Sequence, residues 1–253
     1  MSDQKIVLLA GKGISTHILY NALIHDFTIA AILLEEPVSK RQFLKKRIKK
    51  LGLLKVTGQI LFQLLIVPFL NCFSGQRKKE IMAQNGMDNK AIAPEKITQL
   101  VSVNDPTCIQ ILQQLQPDLV IVNGTRIISK QVLDCVTSKF INIHAGITPK
   151  YRGVHGAYWA LVNNDPQNCG VTVHEVDPGI DTGTVISKKT ITITRKDNFV
   201  TYPLLQLAAG LPLIKAAIIN DRQGPETISG ESRLWFHPTI GQYLYHRVVN
   251  RKK

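Results

Sequence analysis

Short unbroken apolar runs alternate along the chain with segments whose apolar positions recur every three or four residues. Ile6-Val-Leu-Leu-Ala10 is such a run; Gly11-Lys-Gly-Ile-Ser-Thr16 turns out of it, and residues 14–23 have helical spacing. Residues 27–34 predict a second buried strand. Val101-Ser-Val103 leads into Asn104-Asp105-Pro106, a helix start, with Ile111, Leu112 and Leu115 on the helix that follows. Residues 117–122 and 140–144 predict further strands, separated by a short helix from about Ser129. Residues 171–176 and 184–194 alternate as strands do, and a long helix is expected from Phe199 to Asn220. Continuous apolar strands separated by helices imply an α/β, Rossmann-like, doubly wound and mostly parallel sheet. Ligands of such sheets bind beyond the carboxyl ends of the strands. The expected organisation is a main domain over residues 1–197 with a short C-terminal extension, 198–253, packed on it.

Composition narrows the class. With 253 residues, 44% hydrophobic and 19% charged, the chain can bury a core and is neither disordered nor fibrous. The net charge of +13 invites a polyanionic partner until it is located. Residues 37–79 hold eleven Lys and Arg and no Asp or Glu; the other 210 residues carry 20 basic and 18 acidic side chains. Four of those 20 lie in the last seven residues. The charge is therefore an insertion on a near-neutral body. Within it Lys40-Arg41, Lys45-Lys-Arg47 and Lys49-Lys50 alternate with Phe43, Leu44, Ile48 and Leu51, an amphipathic basic helix. Such a helix either contacts an anionic membrane surface or covers the sheet with its apolar stripe in the core. Nucleic acid is disfavoured, because aromatic residues interleave with few of these cations. The uncharged stretch 56–73 contains Thr57, Gly58, Gln59, Gln63 and Pro68, and its pure apolar run is only Leu64 to Leu70, so no membrane crossing is expected. Cys72, Cys108, Cys135 and Cys169 lie far apart with no histidine at ligand spacing, which predicts reduced thiols and no metal site. Together with a start that lacks a signal-peptide pattern, this leads to an expected cytoplasmic protein, able to contact the inner membrane surface through residues 37–79.

Candidate chemistry gathers between residues 123 and 184. Asn142 and His144 are two apart on a predicted strand, share a face, and lie at its carboxyl end. They are either a satisfied core pair or part of a site. Downstream, Gly170-Val-Thr-Val-His174 runs into Asp177-Pro-Gly179-Ile-Asp181-Thr-Gly183, a loop in which Asp177 can bond its own turn. Gly11, Gly13 and Ser15 form either a phosphate-binding turn at a helix N-terminus or simply a tight turn.

Asn142-Ile-His144, Pro149-Lys-Tyr-Arg-Gly153, Gly170-Val-Thr-Val-His174 and Asp177-Pro-Gly-Ile-Asp181-Thr-Gly183 resemble the signature of the formyltransferases that use 10-formyltetrahydrofolate. That family includes glycinamide ribonucleotide transformylase, the catalytic domain of methionyl-tRNA formyltransferase, and nucleotide-sugar N-formyltransferases. The resemblance covers about residues 118–195 well and 37–95 hardly at all. It implies the formyltransferase fold, 10-formyltetrahydrofolate as co-substrate without a metal, and catalysis by Asn142, His144 and Asp181. Asn142 and His144 would donate hydrogen bonds to the developing oxyanion, and Asp181 would orient the imidazole and accept the amine proton. The folate would meet Thr125, Arg126, Ile127 and Ile128 on one side and Val176, Asp177, Gly179 and Ile180 on the other. Tyr151, Arg152, His155 and His174 would face the acceptor, with Gly11, Gly13 and Ser15 toward its phosphate. Trp159 reads as core. The stretch Pro149–161 resembles amino-sugar formyltransferases, so a nucleotide-linked amino sugar for surface polysaccharide is the expected acceptor. Glycinamide ribonucleotide or another small amine is the alternative, and tRNA is less expected, because residues 198–253 are too few for an RNA-binding domain. A membrane-associated binding protein with a vestigial fold is the reading of a different class, and a homodimer is compatible with the sequence.

Overall fold

The computed structural model describes residues 2–219 and 230–249. β1 (Ser2–Gly11) leads through a tight turn into α1 (Ile14–Leu23) and β2 (Phe27–Glu35). A helical insertion follows: α2 (Lys40–Leu51), α3 (Leu53–Leu61), a π turn at Phe62–Ile66, and α4 (Val67–Gln84). Next come β3 (Ile97–Leu100), α5 (Pro106–Leu115), β4 (Leu119–Asn123), α6 (Lys130–Leu133) and β5 (Lys139–His144). The chain continues with β6 (Arg152–Gly153), α7 (Gly156–Val162), β7 (Gly170–Glu175), β8 (Val185–Thr190), α8 (Tyr202–Ile219), β9 (Leu234–Trp235) and α9 (Ile240–Val248). Among the described residues seven strands form one sheet in the order β3-β2-β1-β4-β5-β7-β8, parallel from β3 to β5 and antiparallel at β7. β6 and β9 pair separately.

Period-two alternation distributes β1 between two cores. Ile6, Leu8 and Ala10 join Ile18, Leu19, Ile121, Leu211 and Ile214 on the α1/α8 side. Val7 and Leu9 join Leu112, Val120, Val132 and Phe140 on the α5/α6 side. Strand order reverses between β1 and β4, whose carboxyl ends converge. A Cβ on Gly11 would lie 2.3 Å from the carbonyl oxygen of Gly124, so only glycine permits this approach.

The elements match the sequence pattern with local differences. The strand before α5 is Ile97–Leu100, which pairs with Ile32–Glu35, leaving Val101-Ser-Val103 as loop. The alternation after β8 continues to Thr194, yet pairing stops at Thr190 because Ile191 and Ile193 turn into a third, aromatic core. α8 begins at Tyr202 rather than Phe199, whose ring packs in that core; Asn220 lies outside the described residues. α5 and α6 start where expected, capped by Asp105 accepting from the Thr107 N–H at 2.9 Å and Ser129 accepting from the Val132 N–H at 3.4 Å.

The insertion departs most from expectation. Gly52, at φ 83°, separates α2 from a continuous 32-residue helix, Leu53–Gln84. Pro68 does not break it: the π turn just before relaxes the backbone where a prolyl ring would otherwise clash. By length and composition this helix is apolar enough to cross a membrane, as is Tyr202–Ile219, which instead lies packed on the sheet. One side of the insertion docks on the body. Phe62, fully buried, meets Phe199 edge-to-face at 4.8 Å and Tyr243 at 5.1 Å, in a core shared with Tyr158, Trp159 and Tyr202. Asp197, also buried, accepts from Arg77 Nε at 2.7 Å. The apolar stripe of α2 is not sunk in the sheet, since Phe43 is half exposed.

Phe62 closes the joint between insertion and extension. Phe62→Ala should therefore cost about 3–5 kcal/mol, read as a lowered urea midpoint; a loss within about 0.5 kcal/mol would show that this core does not hold the insertion.

Candidate active site

The carboxyl ends of β4, β5 and β7 frame a cavity of about 360 Å³. Asn142 and His144 project from β5, whose antiparallel partner β7 sets His174 opposite Asn142 in register. The loop from Val176 to Asp181 closes over them. Asp181 sits at φ 52°, a left-handed conformation that Asp tolerates better than most residues. From there its Oδ1 lies 3.3 Å from His144 Nδ1 and 3.7 Å from His174 Nε2, while Oδ2 accepts from the Gly153 N–H at 2.8 Å. Burial opposes ionisation of Asp181, but the nearby rings of His144 and His174 and the hydrogen bond from the Gly153 N–H outweigh it and hold the carboxyl well below the usual carboxylate range.

The two histidines are fixed by backbone. His144 Nε2 donates to the carbonyl oxygen of Tyr151 at 2.8 Å. A Cβ on Gly146 would lie 2.2 Å from that oxygen and 2.7 Å from His144 Nε2, so the contact requires glycine there. His174 Nδ1 donates to the Glu175 carbonyl at 2.6 Å, which turns Nε2 toward Asn142 Nδ2 at 3.3 Å. The Asn142 amide carries two hydrogens, and this contact engages one. The ring hydrogen of His144 expected to meet a substrate oxygen instead faces Tyr151 in this conformation.

The cavity collects Asn142, His144, His174 and Asp181 together with Thr125–Ile128 and Val176, Asp177, Gly179 and Ile180. Within that wall the roles differ. Ile127 is exposed to the cavity, whereas Ile128 is buried in the core beneath α6. Asp177 is engaged by its own turn, accepting from the Gly179 N–H at 3.0 Å and the Thr182 hydroxyl at 2.7 Å. Arg126 pairs with Glu35 at 2.5 Å and also donates to the carbonyls of Glu36 and Val101.

Other expected contacts lie elsewhere. Tyr151 does not reach an acceptor: its side chain is fully buried, stacks on Trp235 and donates to Asp165 at 2.8 Å. Its burial follows from the aromatic core that the C-terminal extension completes. Arg152 lies beneath the cavity loop and donates to the Ile180 carbonyl at 2.9 Å. His155 also lies outside the cavity; its Nε2 meets His237 Nδ1 at 2.8 Å, and Gln63 of the insertion reaches the same His237 nitrogen at 2.9 Å. Gly11, Gly13 and Ser15 stand beside the cavity rather than in its wall. Asn123 ties their turn to β4, donating to Thr16 Oγ1 at 2.9 Å.

Glu35, Gly146 and His237 did not stand out in the sequence. Glu35 is a buried carboxylate that also accepts from the N–H groups of Val103 and Arg126, at 2.7 and 2.9 Å, and so positions the cavity's Thr125–Ile128 wall. A detectable signal existed for Glu35, since it ends an apolar strand at the same edge as His144. Nothing comparable marks His237.

With this geometry in view, similarity to known proteins defines the class. The sequence pattern of the formyl transferase family matches residues 73–203, and the chain belongs to that family. It is 32% identical over 121 residues to a methionyl-tRNA formyltransferase of Caldanaerobacter subterraneus, covering 47% of this chain and 37% of that protein. It is 34% identical over 142 residues to a methionyl-tRNA formyltransferase of Thermodesulfovibrio yellowstonii, covering 54% and 44%. The chain thus spans less than half the length of these curated relatives. Its fold resembles a sugar N-formyltransferase of a Shewanella species, with TM-score 0.59, 12% identity and coverage of 92% of this chain and 76% of the other. It also resembles a phosphoribosylglycinamide formyltransferase of Streptococcus pneumoniae, with TM-score 0.55, 18% identity and coverage of 87% and 99%.

Burial, with the neighbouring charges, lowers the pKa of His155 to about 3 and of His237 to about 4. Both lie below the unfolded value of about 6.5, so the unfolded chain binds more protons in acid. Stability is complete above pH about 6.5 and falls as the pH drops toward those values, with a limiting slope of about 2.7 kcal/mol per pH unit for two protons. Urea midpoints measured against pH should show this limb, and His237→Gln should make it shallower.

Proposed function

We propose that this protein transfers a formyl group from 10-formyltetrahydrofolate to a primary amine, and that the acceptor is a nucleotide-linked amino sugar. The observation that carries the reading is the convergence of Asn142, His144, His174 and an ionised Asp181 in one cavity at the carboxyl edge of the sheet. The donor set suits the folate: the exposed Ile127 with Val176 and Ile180 offers an apolar slot for a flat ring, and the flanking loop backbone offers hydrogen-bonding groups for its edge. Thr125–Ile128 and Val176–Ile180 would hold it, and when bound it supplies the formyl group.

The chain's own residues account for the rest. The second hydrogen of Asn142 Nδ2 meets negative charge developing on the formyl oxygen, and His144 Nε2 adds a second donor when that oxygen replaces the Tyr151 carbonyl. Asp181, held ionised against its burial by His144, His174 and the Gly153 N–H, takes the proton released as the amine forms its bond to the formyl carbon, directly or through one water. That proton returns to N10 of the folate as the bond from N10 to the formyl carbon breaks, releasing tetrahydrofolate. His174 keeps the Asn142 amide turned into the cavity. Gly146 and Tyr151 act as positioning residues for His144.

For the acceptor, the segment Pro149–161 and the fold likeness to a sugar N-formyltransferase support an amino sugar. Glycinamide ribonucleotide is the second reading, supported by the fold likeness to a phosphoribosylglycinamide formyltransferase. Tetrahydrofolate release, followed by absorbance with nucleotide-linked 3- and 4-amino sugars, glycinamide ribonucleotide, hydroxyornithine and charged tRNA, separates them. Turnover with none would leave a binding protein with a vestigial fold.

Asn142→Ala should lower kcat by about 10²–10³-fold, and Asp181→Asn by about 10²–10⁴-fold, with circular dichroism melting curves close to the parent. Full turnover in either variant would overturn the assignment.

A further inference from the structure

We propose that the outer face of the α2–α4 insertion docks in-plane on an anionic phospholipid bilayer. The long helix presents two apolar faces. One is the docked face carrying Phe62. The other bears Leu54, Leu61, Leu65, Phe69 and Phe73, spaced seven and then four residues apart along one stripe, and all exposed; Leu54 is 90% and Phe73 75% exposed. An apolar stripe of this size on the outside of a helix calls for a partner.

The inner face decides how that partner is met. Gln59 Nε2 donates to the His237 carbonyl at 2.6 Å, Ser74 Oγ accepts from Asn198 Nδ2 at 2.9 Å, and Arg77 grips buried Asp197. These anchors run from residue 59 to residue 77, about 27 Å of helix. A helix tied to the body along that length cannot cross a hydrocarbon core of about 30 Å without leaving Asp197 buried and unpaired. It can lie on the surface with its outer stripe sunk among the headgroups.

Charge selects the partner. Lys45, Lys46, Lys49 and Lys50 are exposed on α2, Lys55 follows on α3, and residues 37–79 contain no acidic side chain. A second copy docking through this face about a two-fold axis would oppose two such segments, like charge against like. Acidic headgroups neutralise them instead. Where the stripe ends, Phe69 and Phe73 share the wall of a groove of about 300 Å³ with Lys196 and Arg247, a pairing of apolar and cationic groups that matches a phosphate headgroup above its acyl chains.

Vesicle co-sedimentation of the full chain tests this. We expect pelleting with phosphatidylglycerol-containing vesicles, none with pure phosphatidylcholine, and release at about 0.5 M salt, where screening is short-ranged. Phe69→Ser with Phe73→Ser, and separately Lys45→Glu with Lys49→Glu, should each weaken binding about tenfold or more; an unchanged melting midpoint verifies folding. Alkaline carbonate should release bound protein. Failure to pellet with anionic vesicles at low salt, equal pelleting with both vesicle types, or retention after carbonate would each overturn the proposal. So would a dimer that the Phe69/Phe73 variant converts to monomer while vesicle binding is absent. None of these readouts depends on formyl transfer.

Discussion

A carboxylate cannot stay ionised inside a protein unless its surroundings replace the water it has lost, and Asp181 is such a carboxylate. Its partners come from three places in the chain, His144 at the end of β5, His174 on β7 and the Gly153 N–H on β6, and the left-handed turn at Asp181 presents the carboxylate to them. Each partner is in turn held by something else. Tyr151 fixes His144, Glu175 fixes His174, and β9 fixes β6. The burial of one charge thus makes the sheet, the cavity loop and the C-terminal extension mutually dependent. It also fixes the carboxylate beside the cavity, because His144, His174 and Gly153, which hold Asp181, all line it.

The extension and the insertion share the second constraint. Strands β6 and β9 contribute two residues each, too little pairing to hold on their own. What holds them is the aromatic core, in which Trp235 stacks on both Tyr151 and Trp159 while Phe62 of the insertion closes the far side. His237 sits at this seam, touching His155 and Gln63, so the insertion reaches within two residues of Gly153 and hence of the Asp181 shell. An element that appears peripheral in sequence is mechanically continuous with the site.

Much of this was legible beforehand, and the reasons are physical. The central strands are buried on both faces, so their apolar runs carry a strong local signal, and β1, β4 and β5 fell close to the expected positions. Period two alone put Asn142 and His144 on one face at the carboxyl edge. The wall segments 125–128 and 176–180 came from resemblance and line the cavity with them. What sequence could not supply was direction set by distant partners. Tyr151 follows the site strand closely, yet Asp165 and Trp235 draw it inward. His155 is drawn away by His237, 82 residues on. In the insertion Pro68 counts, by sequence, against a membrane-crossing stretch, yet the helix runs on through it because the π turn directly before α4 accommodates it. Such local irregularities depend on packing, which composition does not encode.

The division between the family pattern and the remaining chain carries a further point. The matched region, residues 73–203, contains every residue of the cavity wall but begins inside α4, leaving out the cationic α2 and most of the exposed apolar stripe. The cavity wall therefore lies in a near-neutral segment held by β5 and β7. The net charge of +13 is concentrated outside that wall, with eleven cations in residues 37–79. Lys45, Lys46, Lys49 and Lys50 of α2 are exposed, where salt at physiological strength screens a charge within about 8–10 Å. Their influence falls on what approaches the outside of the molecule. Site geometry and surface charge therefore lie on separate elements: Asn142, His144, His174 and Asp181 come from β5, β7 and the loop after it, and the exposed lysines come from α2.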